Sequence, residues 1–496
     1  MIKLRHDRDL TLDAFRRIVL DHAPVSIDPE TERTLDQAFE IFSSRPPETA
    51  VYGLNTGLGP MVTVPVADAA LETQQLNLIR SHAAGMGDPV PPQEARAILL
   101  ARAQSLSRNR SAVRAALPRL MCDWLNAGLA PVVPRHGGVG ASGDLVQLAH
   151  LGLGLIGEGR VYAGNAITDA PGALRAAGLA PHTLAFRDGL AIINGVSAMT
   201  GVGLTVVMDA AACLERALTL TALLAEITGL GTEPYSADLA AAKRHTGHHT
   251  VASALRTRLV GSDALNRDAG RPLQEYYSIR CAPQIFGALY DTIETARGVV
   301  VAELNSVSDN PVFDPQNETI VHGGNFHGEP VAMAMDQLKA AMVKLTMVAE
   351  RQINFLLNDD VNKILPAFLN AATPGVTFGL QGAQFTAVST TAASQSIGYP
   401  MALHSIPSNK DNQDVVSMGF DAAWFAREAT ANAGGVQAVL ALAVQSAVDT
   451  LELKHALAPA TREFLDAFPA QSVTHGHGEA IADVLENYRA ILDRLR

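Results

Sequence analysis

The chain has 496 residues, enough for two or more domains and a large core. It is 48% hydrophobic and 18% charged, and a formal net charge of -12 excludes the basic footprint of a nucleic-acid binder. Aromatic residues make up only 5%, while Ala and Leu are abundant, so helix is favoured over sheet.

The opening residues, MIKLRHDRDLTLDAF, carry charges where a signal peptide needs an apolar stretch. Up to about residue 195, short helical patterns alternate with Gly- and Pro-rich loops such as YGLNTGLGP and VVPRHGGVG. Arg96, Arg102, Arg108, Arg110, Arg114 and Arg119 crowd residues 94–120, where the expectation is a solvated helix face laced with salt bridges. The three cysteines, Cys122, Cys213 and Cys281, have neither disulfide-framework nor zinc-site spacing and suit a reducing cytosol. A cytoplasmic protein without a membrane partner is expected.

Residues 138–143 read GVGASG and fit the dinucleotide fingerprint G-x-G-x-x-G. A helix is expected after it, with Asp144 as cap and Leu145, Leu148, Leu151 and Leu155 as an apolar face. The strand such a site needs is poor: the preceding APVVPRHGG is short and holds Pro131 and Pro134. The serine elbow G-x-S-x-G also fails, because Asp144 stands where its last glycine belongs.

Beyond residue 195 the helical patterns lengthen. From 329 to about 358, Val331, Met335, Leu338, Met342, Leu345, Ala349, Gln352 and Leu356 alternate in steps of four and three, with Asp336, Lys339 and Glu350 off that seam. A helix of this length needs partner helices along most of it. Val436 to Val448, interrupted by Gln437 and Gln445, is too short to span a bilayer and reads as a buried helix. The fold class expected is mostly α: a loop-rich N-terminal domain over 1–195 and an elongated helical bundle over 196–496. His245, His248 and His249, and His475 and His477, lie in polar stretches without a thiolate or an H-E-x-x-H pattern, so no metal is expected.

The triplet Ala141-Ser142-Gly143 offers another chemistry. Gly143 has no side chain, so its nitrogen can approach the Ala141 carbonyl. Attack there with loss of water closes a five-membered ring around Ser142, and loss of the serine hydroxyl as a second water leaves an electrophilic methylidene. On its own the triplet is a common turn sequence.

Its surroundings are not common. GGVGASGDLVQLAH followed by IGEGR resembles the methylidene-imidazolone (MIO) loop of the aromatic amino acid ammonia-lyases. YGLNTGLGP, LIRSHAAGMG, GLAIINGVSAMTG, QEYYSIRCAPQ, ELNSVSDNPVF, HGGNFHGEP and NKDNQDVVSMG then resemble that family's motifs in order along nearly the whole chain. The resemblance implies removal of ammonia from an L-amino acid, an MIO group formed from Ala141-Ser142-Gly143 without an external cofactor, and a homotetramer whose sites combine neighbouring chains.

Residue by residue, Tyr52 matches the catalytic base, which needs positive charge or hydrogen bonds to lower its pKa. Arg280 matches the carboxylate clamp, a task suited to its planar fork. Asn194 matches the amide that contacts carboxylate and prosthetic group. Tyr277 and Gln274 match pocket residues, Tyr277 among the catalytic set, and Phe326 matches an aromatic beside the ring. Gly59, Asn409 and Asn412 fall in the same motifs as substrate contacts. Leu58 departs from the aromatic residue more usual in its turn.

Two positions bear on the substrate side chain. Histidine-specific relatives usually carry Gln-Glu-Asp-His where this chain has Asn412-Gln413-Asp414-Val415, and the neutral Gln413 cannot pair ionically with an imidazole. His82 can hydrogen-bond a phenol, which is costly to bury unpartnered. The combination looks most like bacterial tyrosine ammonia-lyases. A histidine ammonia-lyase, a tyrosine 2,3-aminomutase using the same residues and, last, a non-catalytic binding relative are the alternatives.

Overall fold

The computed structural model describes residues 1–44, 49–265, 274–469 and 480–495, and they form a mostly α-helical protein. Among these residues the strands make only small sheets. Ile2–Leu4 pairs in parallel with Val25–Ile27, and Met86–Pro89 pairs antiparallel with Pro134–His136. Leu129–Pro131, Arg160–Ala163 and Ala166–Asp169 form a three-stranded antiparallel sheet, and Val312–Asp314 pairs with Thr319–Val321. The GVGASG segment therefore follows a two-stranded ribbon, not a doubly wound sheet.

The contacts divide the chain into two units. The first comprises Met1–Val206, Ala296–Asp336 and Pro400–Trp424; the second comprises Val207–Thr295, Gln337–Tyr399 and Phe425–Arg496. The first unit thus joins an N-terminal stretch with two segments from later in the chain. The core of the second unit brings Leu223, Ile227, Ile353, Leu356, Leu442 and Tyr488 together.

The seam helix spans Glu329–Leu357. Its eight seam residues are all buried, Gln352 included. Off-seam Asp336 and Lys339 are buried as well, so the helix is enclosed on more than its apolar stripe. Each polar side chain is satisfied locally: Asp336 accepts the Met401 and Ala402 N–H groups, and Lys339 Nζ donates to the Tyr399 carbonyl at 2.7 Å.

The predicted 436–448 helix is part of a longer one, Gly419–Thr450. By length and composition this helix and the stretch Asp188–Thr228 pass for membrane spans, but their apolar windows are 83% and 100% buried, as core helices are. Gln437 Nε2 donates to the Cys213 carbonyl at 2.7 Å and Gln445 Nε2 to that of Pro469 at 2.9 Å, which explains how two amides sit in this apolar run.

The arginine-rich segment departs from expectation in part. Arg108, Arg110, Arg114 and Arg119 pair with Asp9, Asp314, Asp188 and Glu32. Arg96 and Arg102 are buried instead. Arg96 donates to the carbonyls of Ile18, Val19 and Leu125, and Arg102 to those of Ala191 and Ser308. A guanidinium has five donors and satisfies orphan carbonyls at helix ends, a use that charge spacing does not reveal.

His248 is buried in the Thr246–Arg258 helix, not exposed with its neighbours. Among the described residues no three His, Cys, Asp or Glu gather as metal ligands, and His475 and His477 lie outside those residues.

Candidate active site

The triplet sits between the Pro134–His136 strand and the Leu145–Leu155 helix. Gly140 and Gly143 both have φ of +74°, in the left-handed region that glycine tolerates. A Cβ on Gly143 would run into the Gly195 carbonyl, and one on Gly140 into the Ser417 hydroxyl. The glycines thus permit close approach on both sides of the serine, of backbone at Gly143 and of a side-chain hydroxyl at Gly140. Ala141 is buried, and the half-buried Ser142 accepts a hydrogen bond from Gln413 Nε2 at 2.9 Å.

Asp144 does not cap its own helix. Its Oδ2 accepts the Met199 N–H at 2.8 Å, in the first turn of the Ser197–Thr228 helix, while its own N–H donates to Gly195 at 2.7 Å. The first-turn N–H groups of Ala198 and Met199 have no partner within their own helix, and the carboxylate meets them. Burial still pushes this carboxyl up to about 7, against the Met199 and Ala198 N–H groups that lower it. Asp144 Oδ1 and both amide atoms of Gln147 have no hydrogen-bond partner. With its buried small residues, left-handed glycines and serine hydroxyl held at the cavity wall, the loop fits an MIO group.

Tyr52 enters on a turn anchored by Val51 and Leu54, which pack with Phe42 and Phe313. Its hydroxyl accepts the Gly59 N–H at 2.9 Å, and its own N–H donates to His322 Nε2 at 3.1 Å. Burial raises the phenol above its ordinary value and the Gly59 N–H only partly offsets this.

Tyr52, Gly59, His82, Ser142, Asn194, Phe326, Asn409, Asn412 and Gln413, nine of the expected site residues, line one cavity of about 730 Å³ in the first unit, with Leu58 beside them. His82 ends the Leu71–His82 helix and its Nδ1 lies 2.9 Å from the Leu78 carbonyl. A carbonyl only accepts, so Nδ1 carries a proton in this contact, and Nε2 can accept when the ring is neutral. Asn409 starts a run of three residues, with Lys410 and Asp411, in left-handed backbone. That tight turn carries Asn412 and Gln413, and the Gln413 backbone pairs with Ser408.

Asn194 is held from behind. Its Nδ2 donates to the Asn310 carbonyl at 2.9 Å and to Asp309 Oδ1 at 3.3 Å, while Arg187 grips Asp309 through two bonds of 2.7 and 2.8 Å. Both charged side chains are fully buried. Sequence patterns do not single out Arg187, Asp309 or Ser417, although the last two lie inside the motifs ELNSVSDNPVF and NKDNQDVVSMG. Arg187→Ala strands a buried carboxylate and is expected to cost about 3–5 kcal/mol of stability in denaturant unfolding. A loss below about 1 kcal/mol would contradict that account of the pair.

Gln274, Tyr277 and Arg280 do not line this cavity. They belong to the second unit and line another of about 670 Å³, with Tyr276, Arg351 and Phe355. Arg280 Nε donates to the Glu275 carbonyl at 2.8 Å, and its guanidinium lies 4.7 Å from the Tyr277 ring centre. No Lys, Arg, Asp or Glu lines the first cavity among the described residues.

A family model described as aromatic amino acid lyase matches residues 10–470. The chain belongs to the aromatic amino acid lyase family. It is 38% identical to the MIO-dependent tyrosine 2,3-aminomutase of Streptomyces globisporus, over 98% of this chain and 94% of that protein. It is 39% identical to a histidine ammonia-lyase of Koribacter versatilis, covering 89% and 88% of the two chains. With a tyrosine ammonia-lyase of Cupriavidus metallidurans the identity is 40%, over 83% and 81%. The solved structure of the S. globisporus tyrosine aminomutase superposes with a TM-score of 0.93 at 36% identity, covering 100% of this chain and 97% of that one. The aromatic amino acid lyase fold and carbon–nitrogen lyase chemistry follow from this membership, and the family is MIO-dependent.

Proposed function

We propose that this aromatic amino acid lyase is a tyrosine ammonia-lyase, converting L-tyrosine to trans-p-coumarate and ammonia, with its MIO group formed autocatalytically from Ala141-Ser142-Gly143. The observation that carries the substrate is His82: an imidazole on the wall of a cavity whose described lining holds no carboxylate to pair with a histidine substrate. The similarity to a tyrosine ammonia-lyase supports the same reading.

An MIO group held by Ala141-Ser142-Gly143 would supply an electrophile for the substrate amine, which would make that amine a better leaving group. Tyr52 takes the β-proton onto its hydroxyl oxygen, oriented by the Gly59 N–H. Asn194, its Nδ2 fixed by Asp309 and the Asn310 carbonyl, lines the same cavity. Phe326 adds an apolar wall, and Asn409, Asn412 and Gln413 contribute amides.

Two requirements are unmet by this cavity alone. A substrate carboxylate needs a cation, and a buried phenol whose pKa is raised needs one to act as a base near neutrality. In the homotetramer we propose, Arg280 of a neighbouring copy meets both, with Tyr277 and Gln274 beside it. The solution mass of the native protein, read by light scattering, should be that of four chains.

The deciding experiment is incubation of the purified enzyme with Tyr, Phe and His separately, with products identified. Release of p-coumarate supports the lyase. Accumulation of β-tyrosine would move the assignment to a 2,3-aminomutase, the reading favoured by the similarity to the S. globisporus enzyme. His82→Phe should shift kcat/KM towards phenylalanine over tyrosine by roughly tenfold or more, since an unpartnered buried polar group costs about 1–3 kcal/mol. Gln413→Glu should raise relative activity on histidine, because a carboxylate can pair with a protonated imidazole. A wild type that prefers histidine, or an unchanged Tyr:Phe ratio in His82→Phe, would overturn the tyrosine assignment.

A further inference from the structure

Residues 139–144 are tied down on both flanks of the triplet. On the entering side, the Val139 carbonyl accepts the Met418 N–H at 3.0 Å, and the Gly140 carbonyl accepts two donors, the Gly328 N–H and the Ser417 hydroxyl, both at 3.1 Å. On the leaving side, Asp144 is held by Gly195 and Met199. Met199 links the two: its N–H binds Asp144, and its side chain occupies the space beside Gly328 and Gly419 that a Cβ would need.

Ser417 brings a side-chain donor to the loop backbone on the entering flank, where the other two bonds come from backbone N–H groups. It is fully buried, its Oγ also accepts the Gly419 N–H at 3.3 Å, and Met418 after it adopts a left-handed φ of +51°. A non-glycine residue held there marks backbone shaped by its contacts. Gly140, having no Cβ, leaves room for the hydroxyl, whose place a Cβ there would take.

Ring closure needs the Ala141 carbonyl carbon and the Gly143 nitrogen brought together around Ser142. The new bond joins those two atoms. The Ala141 oxygen leaves as water with the Gly143 and Ser142 amide hydrogens, and the Ser142 hydroxyl and Cα hydrogen leave as the second water. No oxidant or reductant is required. What the protein must supply is proximity, a large effect when two reacting atoms are held near contact.

We propose that Ser417 is a positioning residue for this closure: its hydroxyl, with the Gly328 N–H, fixes the Gly140 carbonyl and so presses the strand entering Ala141 towards a Gly143 already fixed through Asp144. The proposal rests on the reading that the triplet cyclises, and it assigns Ser417 a role in forming the group, separate from turnover.

The test follows the mass of the peptide covering 141–143 through a cell-free synthesis quenched at intervals, for wild type, Ser417→Ala, Ser417→Cys and Thr205→Ala. Thr205 is a buried hydroxyl of the same unit that donates within its own helix to Val202, away from the loop. Wild type and Thr205→Ala should both lose two waters at the same rate. In Ser417→Ala the unmodified peptide should persist, with conversion slowed roughly fivefold or more, the effect of one hydrogen bond on a rate. Ser417→Cys, a weaker donor of similar size, should fall between and keeps the test open if the alanine variant aggregates. Conversion of soluble Ser417→Ala or Ser417→Cys at the wild-type rate, or equal slowing in Thr205→Ala, overturns the positioning role. A wild-type peptide that keeps its full mass overturns the cyclisation reading itself, so the two failures are distinct.

Discussion

Ser142→Ala should fold as the wild type does, keep its full sequence mass and lose activity by at least about a thousandfold, a barrier increase of about 4 kcal/mol. The wild type should be two waters lighter, with the loss confined to the peptide holding residues 141–143. The size of the effect follows from chemistry: alanine has no hydroxyl to eliminate, so no methylidene forms, and no ordinary side chain replaces that electrophile. The fold should tolerate the change, because Ser142 is half-buried at the cavity wall and its hydroxyl bonds to Gln413, another cavity residue. Active wild-type protein with an unmodified mass would remove the MIO reading.

Tyr52→Phe should lower turnover by roughly two or more orders of magnitude with substrate saturating, since the ring stays and only the proton acceptor is lost. The pH profile adds a second signature. The base works deprotonated, and burial raises the phenol above its ordinary value, so wild-type kcat/KM should climb with pH on the limb set by this group. The position of the limb reports the balance between burial and any cation delivered by a neighbouring copy. Tyr52→Phe should abolish the limb along with the rate. Near-normal turnover in this variant would show that another group takes the proton.

Much of the chemistry is legible in the sequence. The 3.5-residue spacing of Val331 to Leu356 identifies a helix that the structure places at Glu329–Leu357, with every seam residue buried. Nine residues picked from motifs up to 361 positions apart, Tyr52 to Gln413, line one cavity. The motifs work because each is a local backbone requirement: a left-handed glycine, a helix end or a tight turn.

The rest depends on partners far along the chain. Local pattern assigns Asp144 to the helix that follows it, and the carboxylate instead meets the N–H of Met199. Charge spacing puts Arg96 and Arg102 in solvent, yet both satisfy backbone carbonyls, because spacing along a helix says nothing of which orphan acceptors are brought alongside.

By itself the sequence determined the helical class, the Ala141-Ser142-Gly143 turn and the local motifs, since periodicity and glycine placement act over a few residues. Only the tertiary structure decided that Arg187 and Asp309 brace Asn194, that Ser417 holds Gly140, and that Gln274, Tyr277 and Arg280 line a different cavity from Tyr52. Those outcomes turn on burial and on which distant donors and acceptors must pair once water is excluded, and a linear pattern carries no record of that.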